Sequence, residues 1–317
     1  MTDSDARCCL DEVTRQVDRL YRAMREMDDP APPFLFHYTS PKGLIGIVTS
    51  RTLWASSADC LNDSSEPKYA IGLLKECFDE IVSTLPADSI AARAFKDYWA
   101  WFQKTLEKEG PHVYVFCLSE HDDLLSQWRG YGGQCGGYAV GFSSTKLLEY
   151  LRAKGRSLGR YLMRVVYGDT DQRTSAIRVF QDIVAIGNEA EEKYPAISRE
   201  PEHFIANEIM KRLRSAVFSE AVRLRATFKV QAFHEEAEWR IVQFLDPRTQ
   251  KPEVQFRPGS MALTPYVALD LGTPPIEKIT IGPTLDPVLA RQSLDLLFAK
   301  QEYSQVSIKS SDIPYRQ

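Results

Sequence analysis

The chain has 317 residues, is 44% hydrophobic and 11% aromatic, and so is long and apolar enough to bury a sizeable core as one large domain or two small ones. A formal net charge of -4 and a pI of about 5.8 exclude a protein whose whole surface coats nucleic acid, while a local basic groove is still allowed. No window approaches ~18 uninterrupted apolar residues and the start, Met1-Thr2-Asp3-Ser4-Asp5, lacks a secretory pattern, so neither a membrane span nor a signal peptide is expected and the chain reads as cytoplasmic. Six scattered cysteines without a Cys-x-x-Cys pair fit reduced thiols, and no metal site is expected.

Residues 5–29 place Leu10, Val13, Val17, Leu20, Tyr21, Met24 and Met27 at spacings of three and four, an amphipathic helix stopped by Pro30, Pro32 and Pro33. Such a stripe docks on its own domain or serves as a partner or homo-oligomer helix. The run Phe34-Leu35-Phe36-His37-Tyr38-Thr39-Ser40-Pro41 then reads as an apolar strand ending in a polar triplet, followed at once by a helix with Ser40 as N-cap and Pro41 at its first position. Leu44, Ile47 and Val48 give that helix a buried face. A polar triplet beside a helix N-terminus suits a ribose or a phosphate; the structural alternative is a strand-to-turn junction with one satisfied histidine.

Thr52–Ala55 is a second short strand, and Leu61–Pro67 a polar turn that opens another helix. In that turn Asn62, Asp63 and Glu66 either cap the helix and face its dipole or meet an acceptor. Residues 67–83 and 88–108 read as helices, His112–Leu118 as a buried strand, and Leu124–Arg129 as a short helix before the glycine-rich segment 130–137. Strands follow at Tyr138–Phe142 and Leu162–Tyr167, and residues 171–225 form a charged helical region broken near Pro195 and Pro201. From Phe228 the chain turns strand-rich, at Ala237–Leu245, Val254–Phe256, Tyr266–Leu271 and Ile276–Ile281, then a helix at Asp286–Phe298 and a last strand at Val306–Ile308. The fold class is α+β: split, antiparallel-rich sheet with helical insertions at about 67–108 and 171–225, in a single domain over 34–317 after the N-terminal 1–33.

Three constellations carry candidate chemistry. The first is His37-Tyr38-Thr39. The second is Trp128-Arg129-Gly130-Tyr131, whose two aromatics three residues apart share a helix face and offer a platform for a flat heterocycle, unless they are core residues beside a glycine hairpin. The third is Glu235-Glu236-Ala237-Glu238-Trp239-Arg240. On a strand it would put Glu236, Glu238 and Arg240 on one face, as a salt-bridge ladder or as a carboxylate that stabilises a developing cation.

Taken in order, these pieces resemble the His…Tyr…Glu signature of the ADP-ribosyltransferase fold. The chain is more closely similar, over residues 34–317, to a large bacterial family catalogued only as a domain of unknown function. The matching pieces include Leu61-Asn62-Asp63 with Glu66, Phe116–Ser119, Trp128 with Tyr131-Gly132, Gly137–Phe142, Glu236–Arg240 and the tail Ser310–Arg316. The resemblance implies NAD as co-substrate. His37 would hydrogen-bond the adenosine ribose or the nicotinamide amide, supported by Tyr38 and Thr39, with Arg129 and Arg240 also at the cofactor. Tyr131, Trp128 or Tyr138 would stack on the nicotinamide. Glu238 would bind the nicotinamide ribose, and Glu236 would orient or deprotonate the acceptor, the two roles exchanging if the register shifts by two. The implied function is an NAD-dependent ADP-ribosyltransferase or NAD glycohydrolase, a toxin or anti-phage effector. The alternatives are a metal-dependent nuclease using Asn62, Asp63, Glu66 and the late glutamates, and a non-catalytic nucleotide-sensing module. The acceptor stays open between protein, nucleic acid, small molecule and water.

Overall fold

Apolar residues at helical spacing put Cys9, Val13 and Val17 on the buried side of α1 (Asp3–Ala23), as the sequence pattern predicts. The computed structural model describes residues 3–23, 30–61, 66–106, 112–133, 136–155, 160–195, 204–245, 254–259, 263–284, 286–303 and 305–314. They divide into two compact units, one of residues 1–28, 63–111 and 166–231, the other of residues 29–62, 112–165 and 232–317.

The first unit is helical. α1 packs on α7 (Asp169–Lys193) and α8 (Phe204–Thr227), which pack in turn on α3 (Glu66–Thr84) and α4 (Ile90–Leu106), with a short parallel pair β6 (Val166–Tyr167) and β7 (Phe228–Lys229). Both helical insertions read from the sequence therefore join the N-terminal helix in one unit. Its core is aromatic at the centre: the Phe78 ring lies 5.0 Å from Phe95 and 4.9 Å from Phe180, arrangements that add to the burial of three large side chains.

The second unit is built on a ten-stranded sheet. From one edge it runs β12 (Ser307–Ser310), β11 (Ile276–Ile281), β4 (Tyr138–Ser143), β1 (Phe34–Thr39), β3 (His112–Ser119), β2 (Thr52–Ser57), β10 (Leu263–Asp270) and β9 (Gln255–Pro258). β8 (Glu238–Leu245) pairs with β3 and carries β5 (Arg160–Arg164) beyond it. Every pairing is antiparallel except that of β11 with β12. Among the described residues, four α-helices belong to this unit: α2 (Pro41–Ser50), α5 (Leu125–Tyr131), α6 (Ser144–Tyr150) and α9 (Pro287–Lys300).

β3 is the organising strand because three strands share its two edges. Ser119 faces Glu238 on one side and Phe36 on the other, while Val115 faces Val242 on one side and Ser56 on the other. β1 and β2 thus occupy the same edge of β3. Continuing each register would set both Thr39 and Ala55 opposite Phe116, which two chains cannot do at a strand spacing of about 4.8 Å. The strands must part there, and the sheet splits between the end of β1 and the start of β2.

A candidate site at the split of the sheet

The junction that enters the split is set locally. The Ser40 hydroxyl accepts the Gly43 N–H at 3.3 Å, Pro41 opens α2, and Arg51 closes it with φ 57°. Thr39 ends β1 against this first turn. A Cβ on Gly43 would lie 2.0 Å from the Thr39 Oγ1, so glycine at that position makes room for the hydroxyl.

His37 is held by two contacts from β3. Its Nδ1 donates to the Cys117 carbonyl at 2.9 Å, and its ring stacks on Phe116 with centroids 4.1 Å apart. Burial, reinforced by the Arg257 charge and opposed by the Cys117 carbonyl, lowers its pKa from 6.5 to about 4. The imidazole is therefore neutral at pH 7. Because a carbonyl only accepts, the proton sits on Nδ1, and Nε2 is left as an acceptor.

Residues directly opposite on paired strands project to the same face. His37 and Thr39 therefore share a face with their β4 partners Val140 and Tyr138, while Tyr38 shares the other with Ala139. That second face holds the aromatic core. The Tyr38 hydroxyl donates to the His121 carbonyl and accepts the Leu124 N–H, both at 3.0 Å, and burial pushes its phenol pKa up. Trp128 is fully buried, 4.7 Å from Tyr38 edge-on, with its Nε1 donating to Asp123 at 2.7 Å. Asp123 also accepts from the Ser311 hydroxyl and the Asp312 N–H, which ties down the tail. The expectation that Tyr38 and Trp128 join His37 at a cofactor is corrected: both are core residues on the opposite face. Of the three candidate stacking aromatics, Tyr138 is the one on the His37 face, half-buried. Tyr131 and Arg129 stand exposed at the end of α5. Among the glycines, Gly137 is required by close packing, since a Cβ there would lie 2.5 Å from Gly132 and 3.0 Å from the Thr39 carbonyl.

The acidic cluster also departs from the sequence reading. His234, Glu235 and Glu236 lie in a 3-10 turn over Gln231–Glu236, and β8 begins only at Glu238. Between them Ala237 adopts φ 41°, a left-handed conformation that a non-glycine residue takes at a cost. Glu236 therefore does not share a strand face with Glu238 and Arg240, as the sequence had suggested. Glu238 and Arg240 do share one, and they form a bidentate pair, Nε to Oε1 at 2.8 Å and Nη2 to Oε2 at 3.0 Å, with both side chains buried. Ser119 anchors the preceding turn through the Glu236 carbonyl at 2.7 Å, and Glu235 accepts from Ser126. His37 and Glu238 are not on adjacent strands: β3 lies between them, and along the row Phe36–Ser119–Glu238 His37 projects to the opposite face.

The split changes what those faces meet. Ser56 lines up through Val115 and Val242 with the face of Arg240 and Glu238, and the Arg257 Nη2 donates to the Ser56 hydroxyl at 2.9 Å on that same face. Yet the Arg257 charge acts on His37, which sits on the other face of β1. The split therefore has a β1 lip that carries His37 and a β2 lip that carries Ser56 and, through it, Arg257. Sequence reasoning missed Ser56 and Arg257. Nothing in the short strand motifs flags either, and only the pairing of β9 with β10 and of β10 with β2 brings them together.

Asn62 and Asp63 lie outside the described residues, as does the side chain of Glu66, the first residue of α3. Among the described residues no group of three or more His, Cys, Asp or Glu is placed to hold a metal ion, and no helix is long and apolar enough to cross a membrane. A cavity of about 230 Å³ lies elsewhere, between α3 and α7 of the helical unit, lined by Ile81, Leu85, Ile177 and Val184.

By fold and site the chain is a mixed α+β protein on a mostly antiparallel sheet that is split along one strand edge. Residues 127–241 match the model of a family described as Protein of unknown function (DUF2971). That span takes in Trp128, Tyr138 and the Glu238–Arg240 pair, while His37 and Arg257 fall outside it. No curated protein and no solved structure matches the chain.

Proposed function

We propose that the split is a nucleotide site at which the chain consumes NAD, passing ADP-ribose to an acceptor or to water, the chemistry of a toxin or an anti-phage effector. The observation that carries this reading is His37. A neutral imidazole fixed by the Cys117 carbonyl keeps Nε2 as an acceptor for a ribose hydroxyl, at the mouth of the split and on the face of Thr39 and Tyr138. Cleavage of the glycosidic bond sends its electron pair out with nicotinamide and leaves an oxocarbenium-like ribose, which a fixed carboxylate stabilises. Glu238 is held in the buried pair with Arg240, so this reading gives the role to Glu236, half-buried at the end of its turn. In this reading Glu236 also takes the proton of the acceptor or water as the new bond forms.

Incubation of the purified chain with NAD, with and without candidate acceptors, followed by mass spectrometry for free nicotinamide, tests the proposal. Release of nicotinamide by the parent and its loss in His37→Ala are expected. NAD binding without any release would replace this reading with the nucleotide-sensing one, and absence of both would overturn it.

A further inference from the structure

The lip opposite His37 has a composition that the NAD reading leaves unused. Trp54 and Ser56 lie two apart on β2 and so project together; Ser56 pairs with Tyr266 on β10, and Thr264 beside it pairs with Arg257 on β9. Trp54, Ser56, Tyr266 and Arg257 therefore share one face. Trp54 is 42% exposed although its ring stacks on Tyr266, with centroids 4.5 Å apart and planes 24° from parallel. One ring face is thus held rigid by a buried partner, which leaves the other available. Arg257 is held by Ser56 alone: among the described residues no carboxylate pairs with it, and its Nε is buried without a hydrogen-bond partner. A half-buried guanidinium with a donor unspent and no counter-ion favours an anion.

We infer that this face is the acceptor subsite and that it takes a nucleotide unit, the base stacked on Trp54 and the phosphate on Arg257. The arrangement suits that ligand. Trp54 stacks on Tyr266, the cross-strand partner of Ser56, and Arg257 is bonded to Ser56, so the platform and the guanidinium are neighbours on one face. Aromatic stacking with an arginine on the backbone is also the combination by which proteins hold single-stranded nucleic acid without reading its sequence. As an acceptor site the inference rests on the NAD reading; as a binding site it does not, so its test omits NAD.

Binding of AMP, adenosine and a 5′-phosphorylated single-stranded hexanucleotide is measured by calorimetry on the full chain. AMP and the oligonucleotide are expected to bind, with roughly 10-fold loss in Trp54→Ala. Arg257→Gln should weaken AMP and the oligonucleotide while sparing adenosine, and should flatten the salt dependence by about 0.7 in log–log slope, a change that a merely structural role would not produce. Tighter binding of the oligonucleotide than of AMP identifies a strand as the source, and equal binding a free nucleotide. Absence of binding, or binding insensitive to Trp54→Ala and Arg257→Gln at unchanged melting temperature, overturns the inference.

Discussion

Glu238 and Arg240, two residues apart on β8, close on each other through two hydrogen bonds with both side chains buried. Such a pair is asymmetric in its energetics: removing one partner strands a charge, whereas replacing both by apolar groups is often tolerated. Glu238→Gln and Arg240→Met are each expected to destabilise the fold by about 3–5 kcal/mol in urea unfolding. The double change Glu238→Leu with Arg240→Met should cost less than either single one. Equal or additive losses would show that the two groups are stabilised separately.

The two carboxylates also separate kinetically. Glu236→Gln should lower NAD turnover by about 10²–10³, the usual cost of one preorganised charge interaction, with little change in melting temperature because Glu236 lies outside β8. Glu238→Gln should lose activity mainly in step with unfolding. Full stability together with a dead Glu238→Gln enzyme would return the catalytic charge to Glu238.

The depressed pKa of His37 makes a stability prediction of definite sign. A folded value of about 4 against 6.5 means that the unfolded chain takes up the proton first as pH falls. The contribution is fully present above pH 6.5 and is lost between 6.5 and about 4, at most about 3 kcal/mol. His37→Gln should remove that part of the pH dependence. A parent and variant whose stabilities run parallel from pH 7 to 4 would contradict a neutral, half-buried imidazole.

Trp128 and Tyr138 should part company under mutation. Trp128→Phe removes the donor to Asp123 and is expected to cost about 2 kcal/mol of stability without altering ligand affinity per folded molecule. Tyr138→Ala, on the His37 face, should weaken NAD binding. The reverse pattern in paired calorimetric titrations would put Trp128 back at the ligand.

Gly43 offers a double-mutant cycle. Alanine in a helix normally gains about 1 kcal/mol over glycine, but here its Cβ would meet the Thr39 hydroxyl at 2.0 Å. Gly43→Ala alone should therefore not raise the melting temperature, and in a Thr39→Ala background it should. A gain already present in the single variant would mean that the hydroxyl rotates away at no cost.

What the sequence determined by itself was whatever depends on neighbours a few residues apart. The Ser40 cap, the Pro41 start and the buried face of α2 are local chemistry, and each stands where the residue pattern puts it. So do most strand positions, because alternation and β-branched runs are read over a handful of residues. Glu236 fails that reading because the left-handed Ala237 ends the turn one residue before the strand, a backbone choice that periodicity does not encode. The site itself was decided by tertiary structure. Whether His37 shares a face with Trp128 or Tyr138 depends on the register of β1 with β4, and the split beside it depends on three strands competing for the edges of β3. Those pairings join residues 80 to more than 200 positions apart in the chain. Registers of that kind are set by the packing of whole faces rather than by any local preference, and a shift of one residue would have turned every one of these side chains to the other side.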